Sequence, residues 1–325
     1  MDILSKIKQP IEAEMVRLNE VIAQMLASES PLLTRVVEHY LSTKGKQIRP
    51  ILVLLAARLL GDVRLETIYG ATAIELLHNA TLIHDDVVDE SKQRRGEATL
   101  NALWDNRVAV LAGDYFVSSA TRAALYTREI KIMGILGDLG QSLSQGEIDQ
   151  ISVAQDIIID EKAYFNVIRQ KTASLFVACM QIGALTAGAT EAQQQALMNF
   201  GEKLGLCFQI KDDIFDYFTA DEVGKPTTGS DIAEGKITLP LIYALTHGEG
   251  SECDAMRELV RKSELSSEDI NRLTDYAKRV GGIDYAEGVM QRLRDEAVAC
   301  LSPFMPSEAA GALLAVLDYT IKRTK

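Results

Sequence analysis

The chain has 325 residues, of which 47% are hydrophobic and 25% charged, with a formal net charge of −12. That composition supplies a large apolar core and lies far from the range of disordered chains. A surface this acidic repels nucleic acid and anionic lipid, so neither is expected as a general partner; basic residues gathered in one place would point to an anionic ligand.

The four cysteines, Cys179, Cys207, Cys253 and Cys300, are far apart and have no metal-ligand or redox spacing. They read as small buried apolar residues in a reducing cytosol. The opening residues mix charges with apolar side chains and lack the continuous apolar core of a secretory signal. The most apolar run, Ile51 to Leu60, is interrupted by Arg58 and is too short to span a bilayer. The expectation is a soluble, cytoplasmic protein.

In chain order, apolar residues recur at three-and-four spacing with good helix formers between them, which predicts helix nearly throughout. Residues 2–27 read as one amphipathic helix and 32–42 as a short one. Gly45 to Pro50 is a connector, with Pro50 suited to the first turn of the next helix. Helices over 51–60 and 66–90 flank Gly61-Asp62, and the polar stretch 91–99 reads as a loop. Helices follow over 101–127, 130–151, 160–187 and 191–218. Residues 219–236, rich in Gly, Thr, Asp and Lys, form the longest non-helical stretch, the kind of loop that serves function or motion. Helix resumes from Leu239 to Lys322. No strand pattern stands out. The segments 66–90, 160–187 and 191–218 are apolar on more than one face, which suits the centre of a bundle. The predicted fold is all-α, one domain over residues 1–325.

The run Asp85-Asp86-Val87-Val88-Asp89 recurs as Asp212-Asp213-Ile214-Phe215-Asp216. In each, the first and last aspartates are four apart and share a helix face. Both runs end a long apolar helix, where the dipole is already negative, so something positive should offset the charge. A divalent cation fits: two or three carboxylates suit magnesium, which keeps several waters and shares substrate phosphates. Basic residues accompany both runs: Lys46 and Arg49 in the 45–50 connector, Arg94 and Arg95 after the first, and Lys225 and Lys236 after the second. Lys171 sits beside Thr172 within an apolar helix, and its neighbours predict burial. Together these cations suggest two anionic groups beside a metal cluster; arginine forks match diphosphate oxygens. His78 is seven residues before Asp85, and Gln209 is three before Asp212, both near the acidic faces. A neutral dipole such as Gln209 can steady positive charge without quenching it.

These residues resemble the trans-isoprenyl diphosphate synthases over a span from Gly45 to about Pro240. The resemblance rests on Asp85 to Asp89 with Arg94-Arg95-Gly96, on Lys171-Thr172-Ala173, on Gly205 and Phe208-Gln209 with Asp212 to Asp216, and on Glu234-Gly235-Lys236 with Thr238-Leu239-Pro240. Two departures stand out: Lys44 precedes Gly45 where the family often has a second glycine, and the 224–231 loop is one residue longer than expected.

The resemblance implies an all-helical isoprenoid-synthase fold with a central substrate cavity. It implies a magnesium-dependent condensation of isopentenyl diphosphate with an allylic diphosphate. In that reading Asp85, Asp89 and Asp212 hold magnesium, supported by Asp86, Asp213 and Asp216. Arg94, Lys171 and Lys225 neutralise the allylic diphosphate, and Thr172 and Gln209 steady the allylic cation. Lys46, Arg49, His78 and Arg95 bind isopentenyl diphosphate, and Lys236 belongs to the closing loop. Behind Asp85 stand Ala80, Thr81, Leu77 and Ile74. Short-chain members tend to carry aromatics at the first two positions; small residues there imply a long product, around the octaprenyl class. A homodimer, and transient membrane contact as the product leaves, are further implications. The rival readings are a shorter-chain synthase making farnesyl or geranylgeranyl diphosphate, a terpene cyclase, a non-catalytic partner subunit, and a metal-binding helical scaffold. A cyclase would leave Lys46, Arg49 and Arg95 without a second diphosphate, and a scaffold would leave the Lys171-Thr172 pair idle.

Overall fold

The computed structural model describes residues 3–43, 45–94, 96–218, 229–262 and 264–323. Among these the fold is all-α apart from a two-stranded antiparallel hairpin, Gln93–Arg94 with Glu97–Ala98, inside the segment predicted as loop. Two-residue strands are too short to give an alternating signal. Gly96, at φ 84, supplies the left-handed turn between them.

The first part of the chain forms α1 (Ile3–Lys8), α2 (Glu12–Met25), α3 (Pro31–Thr43), α4 (Ile48–Arg58), α5 (Leu65–Val88), α6 (Leu100–Leu103) and α7 (Asn106–Tyr126). Then come α8 (Ile130–Gln155), α9 (Glu161–Ile168), α10 (Ser174–Thr186) and α11 (Glu191–Phe215). The remainder forms α12 (Ser230–Ala233), α13 (Leu239–His247), α14 (Gly250–Leu259), α15 (Ser267–Arg279), α16 (Gly282–Leu301) and α17 (Glu308–Lys322).

Three predicted helices are broken, each for a local reason. Residues 2–27 split at a 3-10 turn, Gln9–Ile11, because Pro10 has no N–H and its ring collides with the preceding turn. Residues 101–127 split where the Asp105 carboxylate accepts from the Val108 N–H at 2.8 Å and starts α7. That bond, with a smaller contribution from Arg107, holds the Asp105 carboxyl below the usual carboxylate range. Residues 160–187 are interrupted by a π turn, Arg169–Ala173, in which the Ser174 N–H donates to the Arg169 carbonyl.

The chain divides into two compact units. One comprises Met1–Asp138, Ala178–Met198 and Phe304–Leu313. Its centre is α5 packed along α4 and α7, with Ile74, Leu76 and Ala80 fully enclosed. Tyr40 meets Phe116 edge-on at 4.9 Å, and the buried Thr67 hydroxyl donates to Thr186 at 2.9 Å. The other unit comprises Leu139–Val177, Asn199–Pro303 and Leu314–Lys325. Its core gathers Tyr217, Leu241, Leu245, Met256, Leu273 and Tyr276 from α13, α14, α15 and the turn after α11.

Cys179, Cys207 and Cys253 are buried and Cys300 is half-buried. Burial pushes the Cys207 thiol up to about 12, so this group packs rather than reacts. No described helix is long and apolar enough to cross a membrane.

Candidate active site

Each acidic run ends a helix, and each lies in its own unit. In the first unit α5 stops at Val88, with Asp85 in its last turn. The Asp89 N–H closes that turn on the Asp85 carbonyl at 2.8 Å. No basic residue stands in the last turn, so both carboxylates add to the negative end of the dipole. Asp85 is half-buried and Asp89 exposed.

Asp86 has a different environment. It is buried, and its Oδ1 accepts from Arg94 Nε at 2.9 Å, with Nη2 at 2.8 Å. Asn101 Nδ2 donates to the Asp86 carbonyl at 3.1 Å and to the Ser91 carbonyl at 3.0 Å, tying the segment after α5 to its helix end. Asp86 therefore aims Arg94, with its charge already met.

Lys46 is exposed and Arg49 half-buried. Between them Gln47 is buried in a left-handed conformation, φ 57, and its Nε2 donates to Asn19 on α2 at 3.2 Å. A non-glycine residue held there stores strain, common where a backbone positions functional groups. Arg49 and the buried Glu75 both act on the Cys179 thiol, which burial foremost pushes up. His78 is half-buried two turns before Asp85. Ala80 is wholly enclosed and Leu77 nearly so, whereas Thr81 is half-buried with its hydroxyl bonded back to the His78 carbonyl at 2.8 Å. Arg95 and Lys225 lie outside the described residues.

In the second unit, five of the predicted residues, Lys171, Thr172, Gln209, Asp213 and Lys236, border one cavity of about 130 Å³. Lys171 and Thr172 come from the π turn, a rare widening of a helix that recurs at functional sites. Two glycines let neighbouring helices reach it. A Cβ on Gly146 of α8 would stand 2.7 Å from the Lys171 nitrogen. One on Gly205 of α11 would stand 2.6 Å from the Ala173 Cα. The predicted burial of Lys171 is corrected: its side chain is 31% exposed. Glu147 at 2.7 Å and Gln150 at 3.0 Å hold its ammonium at the cavity edge. Both lie on α8, one turn apart, and were not foreseen from sequence. Lys236 pairs with Glu234.

A hydrogen-bonded chain runs along the cavity. Thr172 Oγ1 donates to Gln209 Oε1 at 2.6 Å, and Gln209 Nε2 donates to Asp213 Oδ1 at 2.8 Å. Tyr164 on α9 donates to the other Asp213 oxygen at 2.6 Å. Burial, then the neighbouring carboxylate, push the Tyr164 hydroxyl well above its ordinary pKa, so it stays a donor. Sequence reading missed Tyr164, although it stands seven residues before Lys171, two helical turns away.

Asp212 and Asp216 differ again. Asp212 Oδ1 is 2.8 Å from Arg323 Nη2, whose guanidinium lies over the Phe208 ring at 4.3 Å. Arg323 was missed because it comes from beyond α17, 111 residues away; the basic run Lys322-Arg323 in an acidic chain was the signal. Asp216 is buried just past the helix. Its Oδ1 accepts from Ser230 Oγ at 2.6 Å and its Oδ2 from the Asp231 N–H at 2.9 Å. It therefore ties the end of α11 to the start of α12.

Among the described residues no three His, Cys, Asp or Glu side chains converge as a metal cage. Asp85, Asp89 and Asp212 are hard oxygen donors, and Asp212 already faces one cation, Arg323. Within each unit these carboxylates have the chemistry to hold a divalent ion that keeps waters and takes its other ligands from phosphate oxygens.

The polyprenyl synthetase family model matches residues 30–277. Octaprenyl diphosphate synthase of Haemophilus influenzae is 35% identical, with 98% of this chain and 97% of that protein covered. A crystal structure of geranylgeranyl pyrophosphate synthase from Bacteroides thetaiotaomicron is 38% identical with a TM-score of 0.85, covering 99% of this chain and 100% of that one. That of a polyprenyl synthase from Caulobacter crescentus, complexed with calcium and isoprenyl diphosphate, is 31% identical with a TM-score of 0.90, covering 99% and 98%. With the motifs in order and the match running over most of its length, this chain belongs to the polyprenyl synthetase family.

Proposed function

We propose that this chain is a magnesium-dependent long-chain trans-polyprenyl diphosphate synthase, condensing isopentenyl diphosphate head-to-tail onto an allylic diphosphate. The observation that carries the reading is the cavity bordered by Lys171, Thr172, Gln209, Asp213 and Lys236 beside an acidic helix end, in a member of this family. The calcium and isoprenyl diphosphate bound by the Caulobacter protein support divalent-ion dependence.

Asp85, Asp89 and Asp212 would hold magnesium, with Asp86, Asp213 and Asp216 supporting. Bound magnesium supplies charge neutralisation at the diphosphate oxygens, which eases departure of that leaving group. Arg94, Lys171 and Lys225 bind the same diphosphate and take up its growing charge. Lys46, Arg49, His78 and Arg95 orient isopentenyl diphosphate so that its double bond faces the allylic carbon, and Lys236 helps close the site. The oxygens of Thr172 and Gln209 face developing positive charge without bonding to it. Surrounding apolar side chains keep water from capturing the cation. The proton lost after carbon–carbon bond formation passes to the released diphosphate.

The chain functions as one catalytic domain in the cytoplasm, touching the membrane transiently as an apolar product leaves. A homodimer is supported by α7, where Val110, Leu111, Val117 and Leu125 are exposed at helical spacing, Leu111 by 68%. An apolar stripe of this kind is usually covered by a partner, and a second copy fits it by two-fold symmetry.

The product belongs to the octaprenyl class. A geranylgeranyl product is the second reading, favoured by the 38% identity to the Bacteroides synthase. Incubation with labelled isopentenyl diphosphate, farnesyl diphosphate and magnesium, followed by chromatographic sizing, decides both questions. Long polyprenyl products are expected; product that stops at geranylgeranyl gives the second reading, and no condensation removes the proposal.

A further inference from the structure

Gln209 has to present its carbonyl, not its amide N–H groups, if it is to face a cation. A glutamine amide has two nearly isosteric ends, and the partners around it decide which end points where. Here one partner permits a single answer. Both Asp213 oxygens accept, Oδ2 from Tyr164 and Oδ1 from the Gln209 nitrogen at 2.8 Å, so the nitrogen is the end of Gln209 that faces it. The Gln209 oxygen is thereby turned to Thr172, at 2.6 Å; Gln209, Thr172 and Asp213 all border the cavity.

Asp213 is held in its turn. Its second oxygen accepts from Tyr164 at 2.6 Å, a phenol anchored in another helix 49 residues away. Asp213 and Tyr164 are both buried, so neither exchanges its partner for water without cost.

Resting on the prenyltransferase reading above, we infer that Asp213 acts as an orientation lock on Gln209, with Tyr164 as the positioning residue that holds the lock. Its support of the reaction is through the direction of one amide rather than through a bond to magnesium. Asn at 213 reverses that direction. Its amide keeps the Tyr164 bond through oxygen and offers an N–H to Gln209. Gln209 then turns its oxygen to position 213 and its N–H groups to Thr172, so that N–H groups stand where the wild-type chain presents its carbonyl to positive charge.

The test uses two inert analogues of the allylic substrate, titrated calorimetrically into the full chain with magnesium. One is a thiolodiphosphate that resists ionisation; the other carries an ammonium where the allylic cation would form. Asp213→Asn should weaken the ammonium analogue about tenfold or more, the scale of losing one charge-assisted hydrogen bond, and leave the thiolodiphosphate within about twofold. The magnesium concentration for half-maximal thiolodiphosphate binding should not move.

Tyr164→Phe separates orientation from plain charge. It keeps the Asp213 charge and removes only its holder. A through-space attraction would leave the ammonium analogue as tight or tighter, whereas the lock predicts weakening by about three- to tenfold. It also serves if Asp213→Asn fails to fold.

Equal weakening of both analogues with a raised magnesium requirement would make Asp213 a metal ligand and overturn the lock. So would unchanged ammonium affinity in folded Tyr164→Phe. Failure of the underlying reading looks different: wild-type protein would make no prenyl product and bind neither analogue.

Discussion

Asp85 and Asp86 are neighbours in sequence, yet one is half-buried at a helix end and the other buried on Arg94. The same contrast separates Asp212, which faces Arg323, from Asp216, whose two oxygens clasp the 230–231 backbone. Substitutions should sort accordingly. Asp85→Asn or Asp212→Asn should lower turnover roughly a thousandfold or more with little change in unfolding temperature, because metal charge stabilisation is worth several kcal/mol. Asp216→Asn should instead cost about 1–3 kcal/mol of stability, the range for hydrogen bonds to a charged group. Turnover assays and thermal unfolding run together decide; full activity in Asp85→Asn, or activity that survives a chelator, would remove the metal role. The acidic runs were legible because residue type, spacing and position on a helix all carry the signal locally. Their partners were not: Tyr164 and Arg323 reach the second run across 49 and 111 residues, a distance no local periodicity records.

At the scale of elements, the helices themselves were readable from periodicity, and their interruptions were partly so. Pro10 and Asp105 are local signals, a missing donor and a capping carboxylate, and both mark real breaks. The π turn at Arg169–Ala173 leaves no such signature, because one wider turn shifts the register by a single residue in a segment already apolar on more than one face. On α5 the product-length expectation becomes sharper. Ala80 is wholly enclosed, so a bulky side chain there would overpack the core before meeting any substrate. Thr81 is only half-buried, so a larger side chain there is not forced into the core. Thr81→Phe should therefore shorten the product by several isoprene units while leaving the first condensation within about tenfold, a small fraction of the total acceleration. Chromatographic sizing reads this directly, and an unchanged length from a folded, active variant would mean that the growing chain runs elsewhere.

For the whole molecule, the acidic surface and the apolar stripe on α7 act in opposite senses. A net charge of −12 keeps copies apart, while exposed Leu111 and Leu125 give two copies a reason to meet. Leu111→Asp adds charge at the centre of that stripe and should convert a dimer to monomer, with at least a tenfold weaker association, equal to about 1.4 kcal/mol. Light scattering across a dilution series measures it; a wild-type chain that is monomeric at all concentrations would discard the dimer. A different consequence attaches to Gly146 and Gly205, which press from two sides on the turn carrying Lys171 and Thr172. Neither glycine has a side chain to offer a substrate, yet a saturation library should find both as intolerant as the aspartates. In such a map, absence of a methyl group would score like a catalytic function, and only the split between lost folding and lost turnover would tell the two kinds of position apart.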